Sequence, residues 1–86
     1  MKAKALVAWN LRRLRVRRGL SQEVLAADAE VDRSYVGRLE RGLENPTVVL
    51  LERLARAMTV DLGEFFKIPA KNERPPQPLP SGRRRK

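Results

Sequence analysis

The chain has 86 residues with 19 Lys and Arg against 10 Asp and Glu, a net charge of +9, and neither His nor Cys. That length suits one small domain, and without His or Cys it has no disulfide framework, no ordinary zinc site and no His-based nucleophilic triad. No metal, cofactor or enzymatic activity is expected, and the excess of cations points to a polyanionic partner, either nucleic acid or an anionic membrane surface.

The first expected helix runs from about Ala3 to Arg18. Val7, Leu11 and Leu14 recur at i, i+4 and i+7, and Gly19 follows where a left-handed residue closes a helix. Arg12, Arg13, Arg15, Arg17 and Arg18 crowd its last turns, which suits the negative end of a helix macrodipole. Trp9 lies off the apolar stripe, and its covering is left open. A second helix is capped by Ser21 and spans Gln22 to about Ala29. After only Glu30-Val31-Asp32, a third spans Arg33 to Arg41, with Asp32 as its N-cap and Gly42 as its stop.

Leu43-Glu44-Asn45-Pro46 reads as a loop. A fourth helix starts at Thr47 and continues to about Met58, with Val48, Leu51, Leu54, Ala55 and Met58 on one side. Asp61-Leu62-Gly63-Glu64 has capping-box spacing and opens a short fifth helix through Phe65 and Phe66. No segment alternates with period two, so the expected fold is all-α, a compact five-helix bundle over residues 1–68. Residues 69–86 hold five of the six prolines and a basic terminus, Arg83 to Lys86. They read as a disordered tail that adds non-specific phosphate affinity. No apolar run approaches the ~20 residues of a membrane span, so a cytoplasmic protein with no membrane partner is expected.

The segment Gln22 to Leu39 is the most informative. Two short helices three residues apart cannot lie antiparallel; they cross steeply, as in a helix-turn-helix. Ala26 supplies the small residue such a crossing needs, and Leu25, Ala29, Val31, Val36 and Leu39 seal it. What remains on the outer side of the third helix is Arg33, Ser34, Gly37, Arg38 and Arg41, with no acid among them. Such a stripe suits a DNA major groove, where arginine pairs bidentately with guanine. Tyr35 is expected either half-buried or stacked on the sugar-phosphate backbone.

Leu14-Arg15, Gly19-Leu20-Ser21-Gln22-Glu23, Leu25-Ala26, Val31, Arg38-Leu39-Glu40-Arg41-Gly42, Asn45-Pro46-Thr47 and Leu54-Ala55, in that order, resemble the phage repressor and Cro-type helix-turn-helix regulators, the Xre family. The resemblance covers about residues 5–66. It implies a five-helix repressor-like domain, with the helix-turn-helix at helices 2 and 3, that binds double-stranded DNA as a homodimer. By that resemblance Arg33, Ser34 and Arg38, with Gly37 between them, match base-reading positions. Ser21, Gln22, Tyr35, Arg41 and Asn45 fall at the phosphate-facing edge, and Arg15 with Glu40 matches a structural ion pair. Leu62, Phe65 and Phe66 lie where related regulators dimerise; one Phe is expected inside the core and the other, with Leu62, at the subunit contact.

Three departures from the family pattern stand out. Glu30 occupies a turn position usually held by Gly, Val24 replaces the capping-box acid, and Gly37 costs a helix interior about 1 kcal/mol relative to Ala. The expected function is a sequence-specific transcriptional regulator, a repressor on an inverted-repeat operator, with no small-molecule ligand. A restriction–modification controller fits the size, as does an antitoxin acting on its own promoter. The alternative from another class is a protein–protein adaptor or antitoxin-type module that reuses the fold without operator binding.

Overall fold

The computed structural model describes residues 2–70, so most of the expected tail, residues 71–86, lies outside the described residues. Among those described there are four α-helices, one closing 3-10 turn and no strand. The helices are α1 (Ala3–Arg17), α2 (Gln22–Ala29), α3 (Arg33–Glu40) and α4 (Val48–Met58), and the turn spans Leu62–Phe66. The expected fifth α-helix is therefore corrected to a 3-10 turn. Its cause is local. Asp61 makes no side-chain cap, and the Glu64 amide bonds back to the Asp61 carbonyl at 3.0 Å. The Glu64 carboxylate turns instead to Arg13 at 3.1 Å, a bond that holds its pKa below the ordinary carboxylate value. The Phe65 and Lys67 carbonyls accept from the Asn10 side chain at 2.8 and 2.9 Å.

Capping explains the other helix starts. Ser21 and Thr47 each accept from the amide three residues on, at 3.0 Å, whereas Asp32 occupies its N-cap position without a side-chain bond. All four α-helices end the same way: a residue in the left-handed region follows the last turn, and the next amide reaches back to a carbonyl five residues earlier. The left-handed residues are Gly19, Glu30, Gly42 and Thr59, with φ between 57° and 74°. The closing bonds run from Leu20 to Arg15, Val31 to Ala26, Leu43 to Arg38 and Val60 to Ala55, at 2.9 to 3.1 Å. This is the Schellman closure, which satisfies carbonyls that a helix end would otherwise leave unpaired. Leu20, Val31 and Val60 then pack against the core, while Leu43 remains exposed.

The apolar faces meet in one cluster. Leu11, Leu25, Val36, Leu54 and Phe65 are fully buried within it, and Ala26 is buried where α2 packs on α3. α1 contacts α3 and the 3-10 turn, and α2 contacts α3 and α4. Phe65 is thus a core residue and cannot line a subunit contact, while Phe66 is 49% exposed. Trp9 is half-buried, its indole N–H without a hydrogen-bond partner among the described residues, and it lines a concavity with Asn10, Arg13 and Pro69.

One polar cluster fixes α3 from behind. Arg15 of α1 meets Glu40 through both carboxylate oxygens, with Nη2 at 3.0 Å, and its Nη1 donates to the Leu20 carbonyl at 2.8 Å. Both side chains are nearly buried. Opening such a pair by removing one partner generally costs about 3–5 kcal/mol. The two residues hold the outer face of α3 in place from within the protein.

Candidate nucleic-acid interface

With Val36 and Leu39 turned inward, Glu40 paired with Arg15 and Tyr35 half-buried, the arginines, Ser34 and Gly37 form the outer side of α3. Arg33, Ser34, Gly37, Arg38 and Arg41, together with Gln22 at the start of α2, line an open concavity of about 270 Å³. All four residues expected to read bases share this surface, and so do two of the five expected at phosphate, Gln22 and Arg41. Ser21, Tyr35 and Asn45 lie outside the lining. Ser21 is exposed, with its oxygen engaged as the α2 cap. Asn45 is exposed in the loop after α3, and Tyr35 is half-buried.

Gly37 lines the concavity without a side chain. A Cβ added at Gly37 would meet only Gln22 Oε1, at 3.6 Å, an ordinary contact. No neighbour among the described residues therefore demands glycine there. The Gln22 amide is held from below, because its Nε2 donates to Glu40 Oε1 at 3.1 Å. The Arg15–Glu40 pair thus orients a lining residue as well as α3 itself, a link the sequence alone does not reveal.

The stripe itself carries no acid, but the surface around it does. Arg38 Nε donates to Glu44 of the following loop at 2.7 Å, and Arg33 lies 3.7 Å from Glu23 of α2. The expectation of an acid-free edge holds along α3 and fails across elements, because neighbours from other elements are not visible in the period of one helix. The two pairs differ in kind. Arg33 and Glu23 are both about two-thirds exposed, and such a pair contributes little. Arg38 and Glu44 are 42% and 27% exposed, and the Arg38 guanidinium also lies 5.8 Å from the centre of the Tyr35 ring. Burial and the Glu44 carboxylate push the Tyr35 pKa above its usual value, partly offset by Arg38, so the phenol stays protonated near neutrality.

Chemically, the surface offers guanidinium groups, one hydroxyl and one carboxamide around the bare backbone of Gly37. It includes no nucleophile with an adjacent base, and the described residues contain no cluster of acids suited to a metal ion. Nor is any helix among them long and apolar enough to cross a membrane.

The family model described as helix-turn-helix matches residues 11–65. The HTH-type transcriptional regulator y4dJ of Sinorhizobium fredii is 43% identical over 60 residues, which are 70% of this chain and 78% of that protein. Among solved structures, the restriction-modification controller C.AhdI from Aeromonas hydrophila superposes with a TM-score of 0.71 at 43% identity, over 73% of this chain and 96% of that one. The controller C.Esp1396I, solved as a tetramer with its natural 35-base-pair operator, matches with a TM-score of 0.71 at 29% identity, over 77% of this chain and 87% of that one.

Proposed function

The chain belongs to the helix-turn-helix family, and on that premise we propose that α3 is its recognition helix. The protein is a sequence-specific transcriptional regulator that binds double-stranded DNA. One observation carries the reading: Arg33, Ser34, Gly37, Arg38 and Arg41 share one open, outward surface backed by a buried ion pair. Arg33, Ser34 and Arg38 read base edges, where a fork of guanidinium donors matches guanine O6 and N7. Gln22, Arg41 and Asn45 approach phosphates and fix the register, with Ser21 and Tyr35 at the same edge.

The regulator acts as a homodimer and as a repressor, with polymerase blocked at the promoter it occupies. Phe66 and Ile68 are exposed near the half-buried Leu62, which supports a two-fold contact at that end of the domain. A two-fold pair would set its recognition helices about 34 Å apart, one DNA turn, on an inverted repeat.

Selection from randomised duplex, at two salt concentrations, tests this reading. The unaltered chain should enrich an inverted repeat. Arg38→Ala should bind the enriched duplex about 1–3 kcal/mol more weakly and lose preference at one base position in each half-site. Uniform, salt-labile binding with no enriched sequence would overturn it.

A further inference from the structure

The three arginines on the outer face are not equally ordered. Arg33 and Arg41 are exposed; Arg33 has only a loose partner at 3.7 Å, and Arg41 has no side-chain bond among the described residues. Arg38 differs on two sides. Its Nε is bound by Glu44 at 2.7 Å, and its guanidinium lies 5.8 Å from the centre of the Tyr35 ring. Among the described residues, neither of its Nη groups enters a hydrogen bond.

The position of Glu44 is itself fixed. Gly42, at φ 74°, turns the chain back on α3, and the Leu43 amide donates to the carbonyl of Arg38 at 3.0 Å. The loop that carries Glu44 is therefore tied to the backbone of the residue whose side chain Glu44 holds. A carboxylate on Nε takes the inner edge of a guanidinium and leaves the Nη1/Nη2 fork directed outward. That fork is the edge that pairs end-on with the two acceptors of guanine.

From this arrangement we infer that Glu44 is a positioning residue for base recognition: it holds the Arg38 fork in its reading orientation before DNA arrives. The inference rests on Arg38 reading a base, as proposed above. Glu44 contributes to selectivity because an arginine ordered in advance loses less freedom on binding than a free one. A carboxylate that only repelled phosphates would act differently, weakening the binding of every sequence alike.

Glu44→Ala and Glu44→Gln, made in the full chain, separate these roles. The probes are the duplex enriched by the unaltered protein and a scrambled duplex of equal length, with Arg38→Ala identifying the base position that Arg38 reads. In Glu44→Ala, the ratio of enriched to scrambled affinity should fall about two- to tenfold, and preference should flatten at that same position. Glu44→Gln retains an acceptor for Nε and should recover most of the preference there. The inference is overturned if both variants bind both duplexes more tightly with unaltered base preference, or if the loss falls at a position Arg38→Ala leaves untouched. If the unaltered chain enriches no sequence, the regulatory reading itself fails and this inference falls with it.

Discussion

Gly37 sits in the middle of an eight-residue helix, where glycine is about 1 kcal/mol less favourable than alanine. Its added Cβ would meet nothing closer than Gln22 Oε1 at 3.6 Å, so packing among the described residues gives no reason for it. On the proposed reading the reason lies outside: Gly37 lines the concavity, where a bare backbone would let a DNA partner approach closely. Gly37→Ala should therefore move two properties in opposite directions. Stability should rise by about 0.5–1 kcal/mol, a gain of several degrees in melting temperature for a domain this small. Affinity for the enriched duplex should fall. Thermal denaturation and a binding titration on the same variant check both, and unchanged affinity would show that Gly37 is not approached.

At the scale of elements, the four helix ends share one device but not one residue. Gly19 and Gly42 adopt positive φ freely, whereas Glu30 and Thr59 adopt it at a cost of roughly 1–2 kcal/mol for an L side chain. Both non-glycine turns are held by an arginine from a distant element. Arg53 donates to the Ala29 and Glu30 carbonyls, and Arg18 donates to the Thr59 carbonyl at 3.0 Å. Glu30→Gly keeps that clamp and removes the steric cost, so it should stabilise the fold by about 1 kcal/mol. Denaturant unfolding would register this as a higher midpoint at unchanged slope; a lower midpoint would mean that Glu30 makes a contribution beyond its backbone.

The same contrast explains what could be read in the sequence. Helix limits were legible to within a residue or two where a capping hydroxyl opened an apolar stripe, as for α2 and α4, or a glycine closed the helix, as for α1 and α3. The outward stripe of α3 was legible because helical period alone separates Arg33, Ser34, Gly37, Arg38 and Arg41 from Val36 and Leu39. The 3-10 turn was not, because its form depends on Asn10, which is 55 residues from one of the carbonyls it binds. Glu44 on Arg38 and Gln22 on Glu40 were likewise hidden, since each pair forms only after the chain has folded back.

For the molecule as a whole, positive charge is concentrated toward the C-terminus. Residues 71–86 contribute six basic side chains and one acidic, a net of +5, to a chain whose total is +9. The Lys67 carbonyl is held by Asn10, and Ile68 and Pro69 line one concavity with Trp9, so a cut after Ala70 spares every contact described above. Counterion release makes log affinity fall with log salt by about 0.9 for each phosphate neutralised on duplex DNA. Base preference, by contrast, belongs on the proposed reading to the α3 face. A chain of residues 1–70 should therefore melt at the temperature of the full chain and select the same sequence. Its binding should be weaker at low salt, with a salt slope shallower by about 0.9 per lost contact. An unchanged slope would remove the basic terminus from the DNA contact, whereas a shifted sequence preference would make it part of the reading surface.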